Sequence, residues 1–153
     1  MTSLLLYSNP KIKLNPSLNG SLLLNSDFAD ELDLLVEEAE KLGITLYINS
    51  GFRKDSSHLQ GAIVPPAKMS NHFVGCAIDC NMIQKGVFYN SEMMATEKSD
   101  EIILLIKKWQ EMGNRWGGHF ATIDSVHFDN GLNVKNPDKW NELYLEYHTS
   151  QMA

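Results

Sequence analysis

The chain has 153 residues, 43% of them hydrophobic, a length that suits one domain with a core of its own and disfavours a second. Thirteen basic against 19 acidic residues give a net charge of −6, and no Lys/Arg cluster interrupts the balance, so the electrostatic footprint of a nucleic-acid binder is missing. The opening MTSLLLYSNPK has neither a signal-peptide core nor a membrane span, which predicts synthesis in a cytoplasm without a signal peptide.

Residues 1–25 carry Pro10, Pro16 and Gly20 and read as an irregular lead-in, with a short strand over 21–24. From Ser26 as N-cap, Phe28, Leu32, Leu35, Ala39 and Leu42 recur at helical spacing until Gly43 stops the run. ITLYINS, 44–50, alternates apolar and polar residues as a strand does and ends in SGFR. Residues 51–71, with Pro65-Pro66 inside, predict a loop. GCAIDCNMI predicts a second strand, 84–98 another loop, and Ser99 caps a helix through Met112 whose stripe is Ile102, Leu105, Ile106 and Trp109. RWGGHF and SVHFD are short strand-like pieces, and a last helix over 138–150 turns Trp140, Leu143, Tyr144 and Tyr147 inward. Helices at both ends, with strands between them that lack βαβ alternation, predict an α+β domain on an antiparallel sheet.

The chemistry gathers in MSNHFVGCAIDC, 69–80, which holds His72, Asp79 and both cysteines of the chain. On a strand, Gly75, Ala77 and Asp79 face one way and Cys76, Ile78 and Cys80 the other. The cysteines therefore read as buried free thiols on a core face, too far apart along a strand for a disulfide. On the other face, small neighbours leave room for His72 to fold back beside Asp79. A histidine and a carboxylate there could be two ligands of a zinc ion, and a catalytic zinc takes a third. His127, in IDSVHFD, is the best candidate for it, and Asp124 could then reach the attacking water as general base.

SGFR, SNHFVGCAID, RWGGHF and DSVHFD, in that order, resemble the zinc peptidases that group D-alanyl-D-alanine carboxypeptidases and dipeptidases with L-alanyl-D-glutamate endopeptidases, phage endolysins among them. The shared pattern is S-x-H-x-x-G-x-A-x-D, then W-G-G, then an acidic residue, two spacers and His. The resemblance implies a hedgehog/DD-peptidase-like fold, an antiparallel sheet with flanking helices. It implies His72, Asp79 and His127 as Zn2+ ligands, Asp124 as base, and Arg53 as the contact to the substrate carbonyl or carboxylate. Ser70 falls on the family's serine and would bind substrate or a ligand. His119 stands after W-G-G, where relatives carry an acidic or polar residue, and is a second candidate substrate contact. Aspartate rather than glutamate at 124 tilts the expectation toward the endopeptidase branch.

The plain readings differ in weight. An ordinary turn aspartate competes at Asp124, a structural ion pair at Arg53 and a local backbone bond at Ser70. His58 and His148 read as solvated surface residues, and Met93-Met94 as a conceivable cover for a groove. A non-catalytic zinc domain that binds a peptide or protein, and a D-alanyl-D-alanine carboxypeptidase or dipeptidase, are the rival functions. The expected partner is a peptidoglycan stem peptide, met by a monomer released to the cell wall by a holin or a secretion system. A secreted effector would be matched by an immunity protein.

Overall fold

The computed structural model describes residues 3–55 and 69–152. His58 and Pro65-Pro66 lie outside the described residues, as does most of the loop expected over 51–71.

The lead-in is more ordered than its Pro, Gly and Asn content suggests. It supplies β1 (Leu4–Leu6), β2 (Lys13–Leu14) and β3 (Leu23–Asn25), with β1 and β3 forming an antiparallel ribbon. Helix α1 (Ser26–Lys41) is capped by Asn25, not Ser26: the Asn25 side chain accepts from the amides of Asp27 and Phe28. Its amide group also donates to the Tyr147 hydroxyl at 2.9 Å, which ties the start of the first helix to the last one. Gly43, at φ +74°, ends the helix as expected.

The main sheet takes β4 (Ile44–Ser50), β5 (Ala77–Gln84), β6 (Val87–Tyr89), β7 (Arg115–Trp116) and β8 (His127–Asp129). Its order is β2-β4-β5-β8-β7, with β6 pairing the far end of the β5 edge that β8 uses. All pairings are antiparallel except β2 with β4, which is parallel. The α+β expectation holds, with this one parallel edge added. Residues 84–98 are not a plain loop, since they contain β6 and the short helix α2 (Ser91–Thr96), whose Met94 is fully buried. Met94 therefore fills the core and covers no groove.

Alternation along β4 and β5 divides the sheet into two faces. Ile44, Leu46 and Ile48 join Ile78, Cys80 and Met82 on the core face, all buried. Helices α1 and α3 (Asp100–Glu111) are linked to that side, and Trp109 of α3 meets Phe28 and Phe128 edge-on at 5.8 and 6.4 Å. Ser99 caps α3 as expected. Each large side chain buried here contributes about 1.5–3 kcal/mol relative to an exposed one, so this layer is the main source of stability. Cys76 and Cys80 are free and buried, and burial pushes the Cys76 thiol up to about 12 and the Cys80 thiol up as well. Neither forms a reactive thiolate near neutral pH.

The opposite face, with Asn49, Asp79 and Asn81, is the one left for chemistry. A register shift between Ile48 and Ser50 sets residues 49 and 50 against the single residue Asp79, a bulge that turns Ser50 onto the same face as Asn49. After β8, a one-turn helix α4 (Leu132–Lys135) precedes α5 (Pro137–Met152), which is longer than the 138–150 expected. His148 is not a surface residue. It continues the Trp140 and Tyr144 stripe at helical spacing, stacks on Tyr144 at 4.3 Å and accepts from the Asp55 amide at 3.1 Å. Among the described residues no helix is long and apolar enough to cross a membrane.

Candidate metal centre

His72 sits on a 3-10 turn, Asn71–Val74, that leads into β5. Ser70 caps the turn, its hydroxyl accepting from the His72 amide at 3.2 Å, and Gly75 ends it at φ +71°. A side chain at Gly75 would meet the Asn25 amide nitrogen at 2.6 Å, so only glycine allows both the left-handed turn and its close seat on the β3–α1 junction. Gly75 and Cys76 thus precede the strand, which begins at Ala77.

Three side chains converge above β5 and β8, and each keeps one donor atom free. His72 Nδ1 lies 2.8 Å from the Gly51 carbonyl, which can only accept, so Nδ1 carries the proton and Nε2 the lone pair. That Nε2 is buried without a hydrogen-bond partner among the described residues, 3.3 Å from Asp79 Oδ1. His127 Nε2 donates to Asp129 Oδ2 at 2.7 Å, which leaves Nδ1 facing Asp79 Oδ1 at 3.7 Å. The bulged Ser50 donates to Asp79 Oδ2 at 2.8 Å, leaving Oδ1. One donor atom from each of His72, Asp79 and His127 lies within 4.8 Å of the others. Ligands about 2.0–2.2 Å from a tetrahedral ion are roughly 3.3 Å apart, so the His72–Asp79 separation is already that of a zinc-type site and the His127–Asp79 one, at 3.7 Å, is slightly wider. An orphaned buried imidazole nitrogen beside an N, O, N donor set fits such an ion.

Electrostatics agree. Burial disfavours charge on His127, yet its bonds to Asp129 and Asp79 outweigh that and lift its pKa to about 9. Burial likewise works against ionised Asp79 and Asp129, and their hydrogen bonds still hold both well below the usual carboxylate range. The site stabilises positive charge between two ionised carboxylates. Asp129 is 1% exposed and is braced by Arg115, whose Nε and Nη2 donate to it at 2.9 and 2.8 Å, and by the Gly131 amide at 2.8 Å. Sequence reasoning assigned Asp129 no role. Its position two residues after His127 on a strand, hence on the same face, is the signal that could have found it.

His72 and His127 line a cleft of about 610 Å³ whose wall also includes Arg53, Ser70, Asp124 and Arg115. Arg53 has an exposed side chain, and its amide donates to the His72 carbonyl at 3.0 Å. Asp124 is exposed too; its amide donates to Gly117 and its carbonyl accepts from His127. A Cβ on Gly117 would lie 2.9 Å from that of His127 and closer still to the Asp124 carbonyl, so the first glycine of W-G-G lets the Asp124 turn close over the strand. The Ser70 hydroxyl is engaged in its cap. His119 is exposed, edge-on to buried Trp116 at 5.0 Å, and is not part of the cleft wall.

An α+β frame with a His, Asp, His cluster beside a cleft that carries a carboxylate and a guanidinium is the kind of arrangement that metal-assisted hydrolysis uses. Residues 65–130 match the model of a family described as D-alanyl-D-alanine carboxypeptidase. The matched segment carries Ser70, all three donors and Asp124, and begins after Arg53. No curated protein matches the chain.

Proposed function

We propose that this chain is a single-domain zinc peptidase that hydrolyses the L-alanyl-D-glutamate bond of peptidoglycan stem peptides. The observation that carries the reading is the buried, unpartnered His72 Nε2 beside Asp79 Oδ1 and His127 Nδ1, in a cleft that also holds Asp124 and Arg53. These three atoms would hold the ion, which when bound supplies Lewis acidity, acidifying water and polarising an amide carbonyl. Asp124 is the base: its carboxylate takes a proton from the attacking water and returns one to the leaving amine nitrogen. Arg53 hydrogen-bonds the carbonyl oxygen as negative charge grows on it. Ser70 shapes the approach to His72, and His119 stands outside the cleft as an outer contact for a long substrate.

The second reading is a D-alanyl-D-alanine carboxypeptidase, favoured by the description of the matching family. Mass spectrometry of digested stem peptides decides between them. New D-glutamyl amino termini are the expected products; release of free D-alanine alone would replace the endopeptidase reading with the carboxypeptidase one. No hydrolysis by zinc-loaded protein would leave a zinc-containing binding domain. An endopeptidase of this kind acts on the cell wall after release through a holin or a secretion system, and in the latter case a pull-down from the source cell should recover an immunity protein.

A further inference from the structure

The proposed reaction has assigned no substrate contact to Arg115, which stands on β7 and lines the cleft. Its guanidinium is held on several sides. Nε and Nη2 bond Asp129, Nη2 also donates to Asn133 Oδ1 at 3.2 Å, and the guanidinium carbon lies 5.0 Å over the Phe120 ring. Gly131, at φ +72°, passes so close that a Cβ there would come within 3.3 Å of Nε. Nη1 is left with no hydrogen-bond partner among the described residues, and the side chain remains 33% exposed on the cleft wall. Bracing Asp129 uses one edge of the fork. With Nη2 shared between Asp129 and Asn133, Nη1 is left as a fixed, always-charged donor, and such pre-organisation suits a carboxylate oxygen because little freedom is lost on binding.

We propose that Arg115 is a specificity residue whose free Nη1 edge binds a carboxylate on the leaving side of the scissile amide. This rests on the peptidase reading above. In the L-alanyl-D-glutamate reaction that group is the α-carboxylate of the glutamyl residue, one carbon from the nitrogen released, and it persists in the product.

Calorimetric binding of the product dipeptide γ-D-glutamyl-L-lysine and of its α-amide to the zinc-loaded full chain tests the assignment, with hydrolysis of the parent tripeptide followed separately. The acid should bind roughly ten- to a hundredfold tighter than the amide, the effect of a charge-assisted hydrogen bond. Arg115→Gln should abolish that preference and Arg115→Lys restore only part of it, with bound zinc retained in both. Equal binding of the two peptides by the native chain, or a preference that survives Arg115→Gln, overturns the proposal. Loss of preference only together with loss of zinc in both variants also overturns it, because Arg115 would then act solely as a brace for Asp129. Acid preference without tripeptide cleavage would sink the peptidase reading and leave Arg115 standing; cleavage without preference would do the reverse.

Discussion

The two halves of the cleft are built differently. His72, Asp79 and His127 are mostly buried, Asp79 being the most exposed at 22%, and each has its second polar atom tied to the frame through Gly51, Ser50 or Asp129. Arg53 and Asp124 are exposed and are held through their backbones, by His72 and by Gly117 and His127. A cation requires its donors preset, because each misplaced or wrongly protonated ligand weakens every other bond to it. Groups that meet a peptide can stand on the rim, where substrate reaches them. The contrast implies that substitutions in the cradle remove metal and turnover together, whereas substitutions on the rim remove turnover alone.

The largest effect is expected from His72→Ala, Asp79→Ala and His127→Ala, each of which should take bound zinc and hydrolysis below detection. Elemental analysis beside a stem-peptide assay checks this, and a variant that keeps a full complement of zinc would erase the distinction between cradle and rim. Asp124→Asn comes next: zinc content should be unchanged while kcat falls by about 10²–10⁴, the usual contribution of a positioned general base. Full turnover in that variant would move the base elsewhere. Asp129→Asn should weaken zinc binding by about 10–100-fold in a chelator competition, since the amide no longer fixes the His127 tautomer as a carboxylate does. Unchanged affinity would mean that the strand alone orients His127. Smallest is Cys80→Ala on the opposite face of β5, expected to cost about 1 kcal/mol in denaturant unfolding and to leave zinc content untouched.

Much of this was legible along the chain where a local pattern had only one geometric outcome. The 44–50 strand, the α3 cap at Ser99 and the stop at Gly43 are short-range features, and they stand in the structure where their residues suggest. The split of MSNHFVGCAIDC into a core face with Cys80 and an open face with Asp79 follows from strand alternation alone. Less legible were elements stabilised by distant partners. Strand β2 has two residues and exists because β4 lies beside it, and Asn25 displaces Ser26 as cap in a position where its amide also reaches Tyr147, 122 residues away. His148 was misread because its polarity outweighed its place in an aromatic stripe that a packed neighbour makes internal.

For the candidate site, sequence alone determined the residue types and the faces they occupy, because side-chain chemistry and the two-residue period of a strand are local properties. Only tertiary structure decided which atom of each residue is free. The bulged Ser50 and the Gly51 carbonyl come from the end of β4, and Asp129 beside His127 is braced by Arg115 of β7; together they leave Nε2 of His72, Oδ1 of Asp79 and Nδ1 of His127 turned toward one another. The bonds that orient His72 and Asp79 join residues 21 and 29 positions apart and carry no local signal, so these donors could be named from the sequence while their orientation could not; only the His127–Asp129 bond, two residues apart, left a local trace.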